Sequence, residues 1–134
     1  MKHAILLVAH GDFPHLVRLL NRLDTNCQVY IHLDRKMRVS KQAYDTLSSL
    51  PVVKGIYRRY KINWAGFNML KAILYLLKEA FNDEGNGYFH LLSGQDYPVK
   101  PVSEFTRVCV MWTGDTGMEI IRLIWIEAIS RHYA

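Results

Sequence analysis

Three short polar stretches stand where apolar runs end: His10-Gly11-Asp12, His32-Leu33-Asp34 and Ser93-Gly94-Gln95-Asp96. A carboxylate such as Asp34 accepts two hydrogen bonds and suits the hydroxyls of a ribose or the edge of a base, with no metal required. The same residue type also turns a chain, so Asp34 has a purely structural alternative. Asp96 follows a glycine-containing turn, where a backbone can approach a ligand closely. As a lone carboxylate it makes a poor site for a hard cation, which asks for several oxygens. His10, His32 and Asp34 do not have the spacing of a metal-ligand set. His10 and His32 read as polar residues at strand ends, and His90, inside an apolar run, reads as structural.

Basic side chains cluster in two places, Arg35, Lys36, Arg38 and Lys41, then Lys54, Arg58, Arg59 and Lys61, within a chain of formal charge +5. Such a surface suits an anionic partner, whether a nucleic acid, a lipid headgroup or a nucleotide diphosphate, although a solvated basic loop looks the same in sequence. A diphosphate with no metal beside it has to be met by Arg or Lys. Tyr57, Tyr60 and Trp64 interleave with the second cluster as stacking platforms do. No nucleic-acid fold pattern accompanies them, and nucleic acid is not expected as a partner.

The elements that must position these groups follow from periodicity. His3–Ala9 and Cys27–Leu33 are near-continuous apolar runs, fitting strands buried on both faces as in a parallel sheet. Between them Phe13, Leu16, Val17, Leu20 and Leu23 recur at helical spacing, with Asp12 placed to cap and Pro14 in the first turn. This is a βαβ unit. A weaker helix opens at Ser40 and stops at Pro51, and Val52–Tyr57 is a candidate edge strand. Phe67, Leu70, Leu74, Leu77 and Phe81 form one stripe of a long helix and Met69, Ile73 and Leu76 a second, so that helix is expected to be largely buried. Tyr88–Leu92 is a further buried strand after the turn residues 82–87, and Ser103 with Glu104 can open another helix. Val108–Trp112 reads as a short apolar run ahead of a turn at residues 113–117, and Met118–Ile129 is apolar on almost every face.

The fold class is therefore α/β, a mostly parallel sheet flanked by helices, and in such sheets ligands bind beyond the carboxyl ends of the strands. No Gly-x-Gly-x-x-Gly and no Walker-type loop occurs, which argues against dinucleotide oxidoreductases and P-loop enzymes. Asp115-Thr116-Gly117 matches the aspartic-protease triplet, but the surrounding pattern is not all-β. Cys27 and Cys109 lie in apolar contexts without metal-ligand spacing and read as buried thiols of a reducing compartment. No signal peptide and no spanning helix is read, so the expected location is cytoplasmic, peripheral at a membrane surface.

Four segments in register resemble the core-2/I-branching family of β-1,6-N-acetylglucosaminyltransferases and peptide O-xylosyltransferases. They are Ala4–His10, Tyr30–Lys36, Ile62-Asn63-Trp64-Ala65-Gly66 and Leu91–Lys100, and the likeness spans residues 2–105. The resemblance implies a GT-A-like (Rossmann-like) fold and an inverting transfer from a UDP-sugar, UDP-N-acetylglucosamine or UDP-xylose, to a glycan or other hydroxyl acceptor. It implies no Asp-x-Asp metal site, in agreement with the lone Asp96. By position, Val8, His10 and Asp34 would line a uridine pocket with Lys61 and Trp64 near it, and Ser93, Gly94, Gln95 and Asp96 would lie beside the donor sugar and diphosphate.

The resemblance fades after Phe105. In the family the catalytic Glu and the diphosphate-holding basic residues come from a C-terminal half. Glu119 and Glu127, the late carboxylates besides Asp115, sit in no matching context, so no general base is assigned. The expectation is a nucleotide-sugar-binding domain over residues 1–106, with a divergent tail over 107–134 in the same compact unit, C-terminally truncated. The alternative is a non-catalytic α/β scaffold that needs a partner chain or a second copy of itself.

Overall fold

A strand apolar on both sides needs cover on both faces, and the chain supplies it by alternating strands with helices. The computed structural model describes residues 1–63 and 66–113. In order these form β1 (Lys2–Ala9), α1 (Phe13–Asn21), β2 (Cys27–Leu33), α2 (Lys41–Ser49), β3 (Val53–Tyr57), α3 (Phe67–Phe81), β4 (Asn86–Ser93) and α4 (Val102–Thr113). The strands make one sheet in the order β3-β2-β1-β4, with every pairing parallel. This is the parallel α/β sheet flanked by helices expected from the apolar runs, and the Rossmann-like arrangement that the resemblance implies.

The two faces hold two cores. Ile5, Leu7 and Ala9 of β1 join Val29, Ile31 and Leu33 of β2 against Leu16, Leu19 and Leu20 of α1 and Leu47 of α2. Ala4, Leu6 and Val8 point the other way, with Tyr30 and Phe89, onto Ala72, Leu76 and Ala80 of α3. Val102 of α4 packs on the first face. Caps follow the sequence: the Asp12 side chain accepts from the His15 amide with φ at 46°, and Ser40 accepts from the Ala43 amide.

Three expectations change. Phe67, Leu70 and Leu74 of the expected stripe do not face the sheet, whereas Phe81 reaches it, stacking on Phe89 of β4: Phe67 is 70% exposed and Leu74 54%, while Leu76 is 0%. The small residues Ala72 and Ala80, on the same face as Leu76, let the helix approach the sheet closely, so the narrower face carrying them is the one buried. Residues 108–113, read as a short run entering a turn, continue α4. Asn86 and Gly87, read as turn residues, already belong to β4. Trp64, the triplet at 115–117, Glu119, Glu127 and the apolar stretch Met118–Ile129 lie outside the described residues. No helix among the described residues is long and apolar enough to cross a membrane.

The orientation of α3 is checked by two truncations. Leu76→Ala is expected to lower unfolding free energy in urea by about 3 kcal/mol, and Leu74→Ala by less than about 1 kcal/mol. Equal losses would mean that the helix is rotated.

Candidate functional site

All-parallel pairing puts the carboxyl ends of the strands along one edge, and two backbone bonds lock the central tips together. The Asp34 amide donates to the Ala9 carbonyl and the Gly94 amide to the Val8 carbonyl, each at 2.8 Å. With neighbouring strands about 4.8 Å apart, residues just past β2 and β4 flank the tip of β1 within about 10 Å. The chain runs from β1 outward to β2 and β3, then returns to the opposite side of β1 as β4. The topological switch point therefore lies between β1 and β4, and its crevice opens at His10 and Ser93–Asp96. Across that crevice Gln95 Nε2 donates to His10 Nε2 at 3.2 Å.

Gly94, just past the end of β4, packs directly against Ala9 of β1. A Cβ there would stand 2.8 Å from the Ala9 Cβ and 3.1 Å from its Cα, so no larger residue fits without moving β4 off β1. Beyond it, one Asp96 carboxylate oxygen accepts from the Ser93 amide at 2.8 Å, and the Ser93 hydroxyl accepts from the Gln95 amide at 3.2 Å. Helix α1 holds this turn from the side: His15 Nε2 donates to the Asp96 carbonyl at 3.1 Å, and the Arg22 guanidinium lies 5.9 Å from the Tyr97 ring centre.

Asp34 performs a similar task at the tip of β2. It is 4% exposed, and its Oδ1 accepts from the amides of Lys36 and Ile62, both at 3.0 Å. Burial by itself would raise this carboxyl. The two amides, with the Lys36 and His10 charges nearby, outweigh burial and hold it below the ordinary carboxylate value. Its Oδ2 faces Lys36 Nζ at 3.7 Å, and that ammonium also donates to Asn63 Oδ1 at 3.0 Å. One oxygen of the side chain thus shapes the turn while the other is left to the Lys36 ammonium.

Two residues earlier on the same side of β2, the fully buried His32 completes the clamp: its Nε2 accepts from the amides of Arg59 and Tyr60, at 3.1 and 3.2 Å. The Arg35 amide donates to the Tyr60 carbonyl at 3.0 Å. His32 and Asp34 together pin the 59–62 segment across the end of the sheet. An imidazole nitrogen that accepts must be unprotonated, and burial keeps His32 below its usual titration range, partly offset by Asp34. It is therefore no metal ligand through Nε2. The sequence presented His32 as a polar strand-end residue; that it anchors a loop 27 residues away was not visible there.

The remaining expected residues fall as follows. Val8 is buried in the α3-side core beneath the rim, with its carbonyl taken by Gly94. Lys61 is exposed, its carbonyl receiving the Asn68 amide group at 3.0 Å. Trp64 lies outside the described residues. Of the basic clusters, Arg35, Lys36, Arg38 and Arg58 line a cavity of about 820 Å³ beside the β2 tip, with Phe13, Met37 and Val39. Arg58 reaches across it to donate to the carbonyls of Met37 and Arg35. Arg59 instead sits over the Tyr75 ring at 4.7 Å, and Tyr57 meets Tyr75 edge-on, so the aromatic-basic interleaving is used within the fold.

A parallel α/β sheet of this kind binds ligands, where it binds them, in the crevice at its switch point, and here that crevice is polar. The chain matches the Core-2/I-Branching enzyme family over residues 4–121 and belongs to that family, a family of glycosyltransferases. The match runs past Phe105, where the likeness of individual motifs fades. No curated protein matches the chain significantly.

Two outcomes check this geometry. Gly94→Ala is expected to cost about 1–3 kcal/mol in urea unfolding, because the added methyl overpacks against Ala9. Acid should weaken the fold as well. His3, His32 and His90 are all held below their ordinary values by burial, His90 at about 4. The unfolded chain therefore takes up protons first. Stability is complete above about pH 6.5 and falls as pH drops toward 4, the His90 contribution alone being about 3 kcal/mol. Urea titrations between pH 8 and 4 would show the decline; a flat profile would contradict it.

Proposed function

We propose that this chain binds a UDP-sugar in the crevice between β1 and β4, as the donor side of an inverting transfer of N-acetylglucosamine or xylose, without a metal on the diphosphate. The acceptor is a glycan or another hydroxyl. The observation that carries the reading is the switch point: His10 and the Ser93–Asp96 turn meet across it, with the Asp34 carboxylate on the far side of the β1 tip. Membership in a glycosyltransferase family supports a sugar donor there.

In this reading Asp34 Oδ2 and His10 hydrogen-bond the nucleoside above the floor made by Val8, and Lys61 and Trp64 border it. Gly94 holds the turn close against Ala9 beside the donor, and Ser93, Gln95 and Asp96 face its sugar and diphosphate. With a single carboxylate in that turn, the negative charge of the leaving diphosphate falls to cations, and Lys36 with the groove of Arg35, Arg38 and Arg58 offers them next to Asp34. Fixed donors of this kind assist single displacement at the anomeric carbon by stabilising charge as it develops on the leaving group.

A second reading has its own support. Phe67, Leu70, Leu74 and Phe81 leave an apolar strip of α3 open, as a scaffold that pairs with another chain or copy would.

Isothermal calorimetry with UDP tests the first. Binding is expected with the same affinity, within about twofold, in the presence and absence of EDTA, and Lys36→Ala should weaken it about tenfold, equivalent to ~1.4 kcal/mol. No heat at millimolar UDP would overturn donor binding, and an absolute metal requirement would overturn the single-carboxylate argument.

A further inference from the structure

The far end of the sheet holds a second group of chemistry-bearing side chains that the rim does not use. His3 from the start of β1, His90 from β4 and Cys109 from α4 are all buried, and one ligand-capable atom from each lies within 4.8 Å of the other two. His3 Nδ1 and His90 Nε2 are 3.0 Å apart. The two imidazoles meet edge to edge in nearly one plane, at an interplanar angle of 16°, and Phe105 meets the His90 ring in a T-shaped contact. The other ring nitrogen of His90, Nδ1, is buried without a hydrogen-bond partner, although the ring is only 2% exposed.

We propose that His3, His90 and Cys109 form a site for a zinc-class divalent ion, one that prefers imidazole and thiolate ligands. Two nitrogens 3.0 Å apart can both reach a metal at about 2.0–2.1 Å with an N–metal–N angle of about 90–100°, well under tetrahedral, once the rings turn their lone pairs off the line that joins them. A thiolate bond of about 2.3 Å requires Cys109 to close in by roughly an ångström from the outer limit of the cluster, a small movement for one helix side chain. Burial disfavours the imidazolium form of both histidines, and the neutral form is the one that ligates. On binding, the Cys109 thiol gives its proton to solvent, while each imidazole keeps one N–H on the nitrogen turned away from the metal. Three protein ligands leave a fourth position for water.

Cys27 makes the assignment selective. It stands beside His3 in the β1–β2 register, but its sulfur lies 3.8 Å from Asp24 Oδ1, and burial and that carboxylate push its thiol up to about 12. Of the two cysteines in the chain, only Cys109 is placed to serve as the thiolate. The metal would fasten α4 to the two strands that form the switch point. From His3 to His10 is seven residues of strand, about 23 Å, so the ion would act on the fold and not on the donor.

The test uses the full chain, stripped of metal and titrated with Co2+ and then Zn2+. One Co2+ per chain should bind with a thiolate-to-metal charge-transfer band and visible d–d bands of tetrahedral intensity. Zn2+ should displace it and raise Tm by about 5 °C. The charge-transfer band should survive Cys27→Ser and vanish in Cys109→Ser. X-ray absorption of the zinc-loaded wild-type chain needs no variant, and should show one sulfur at about 2.3 Å with nitrogens at about 2.0 Å. Absence of a charge-transfer band, its loss in Cys27→Ser instead, or a zinc shell without sulfur would overturn the proposal. UDP affinity unaffected by zinc while Tm rises would keep this site and the donor rim separate.

Discussion

Everything at the rim depends on β1 being paired in parallel on both sides. A strand in that position has no exposed face and no free edge, so its apolar sequence is obligatory and its tip is fixed by its neighbours. The bonds from Asp34 to Ala9 and from Gly94 to Val8 set the heights of the β2 and β4 ends against it. Because the chain turns outward on one side of β1 and returns on the other, those tips cannot be covered by a single crossover, and a crevice is left open. The site is a consequence of topology before it is a consequence of any one side chain.

The polar residues near the crevice are held, not loose. Asp34, His32 and Asp96 each accept backbone N–H groups from the segments that border the opening. These bonds offset the cost of burying Asp34 and the Nε2 of His32, whose Nδ1 has no partner, and they tie the bordering segments to the strand ends. A rim built this way is shaped in advance, which would lower the ordering cost of binding the proposed donor. Helix α1 contributes to both ends of the same problem, capping from Asp12 at one tip and bracing Asp96 through His15 at the next.

How legible this was differs by residue. The strands β1 and β2 stood out because a run such as Cys27–Leu33 is apolar at every second-face position, and Ser40 and Asp12 announced their helices by their hydrogen-bonding type. The convergence of His10, Asp34 and Ser93–Asp96 followed from parallel pairing alone. The face of α3 was misread because hydrophobicity was weighted above size: Ala72 and Ala80 permit close approach, whereas the larger Phe67 and Leu74 do not have to be inside. The anchoring role of His32 and the meeting of His3, His90 and Cys109 were hidden by sequence distance, since both depend on which tertiary neighbours stand opposite. The groove of Arg35, Lys36, Arg38 and Arg58 was foreseen as charge but not as a cavity, which needs the turn after β2 to fold back toward Phe13.

Donor binding at the β1, β2 and β4 tips is tested by an amide chemical-shift titration of the labelled chain with UDP. Shifts are expected to concentrate at His10, Asp34, Lys36 and Gly94–Asp96, with Lys2, Asn86 and the exposed strip of α3 unmoved. Shifts confined to the opposite end of the sheet or to α3, with the β1, β2 and β4 tips silent, would contradict it.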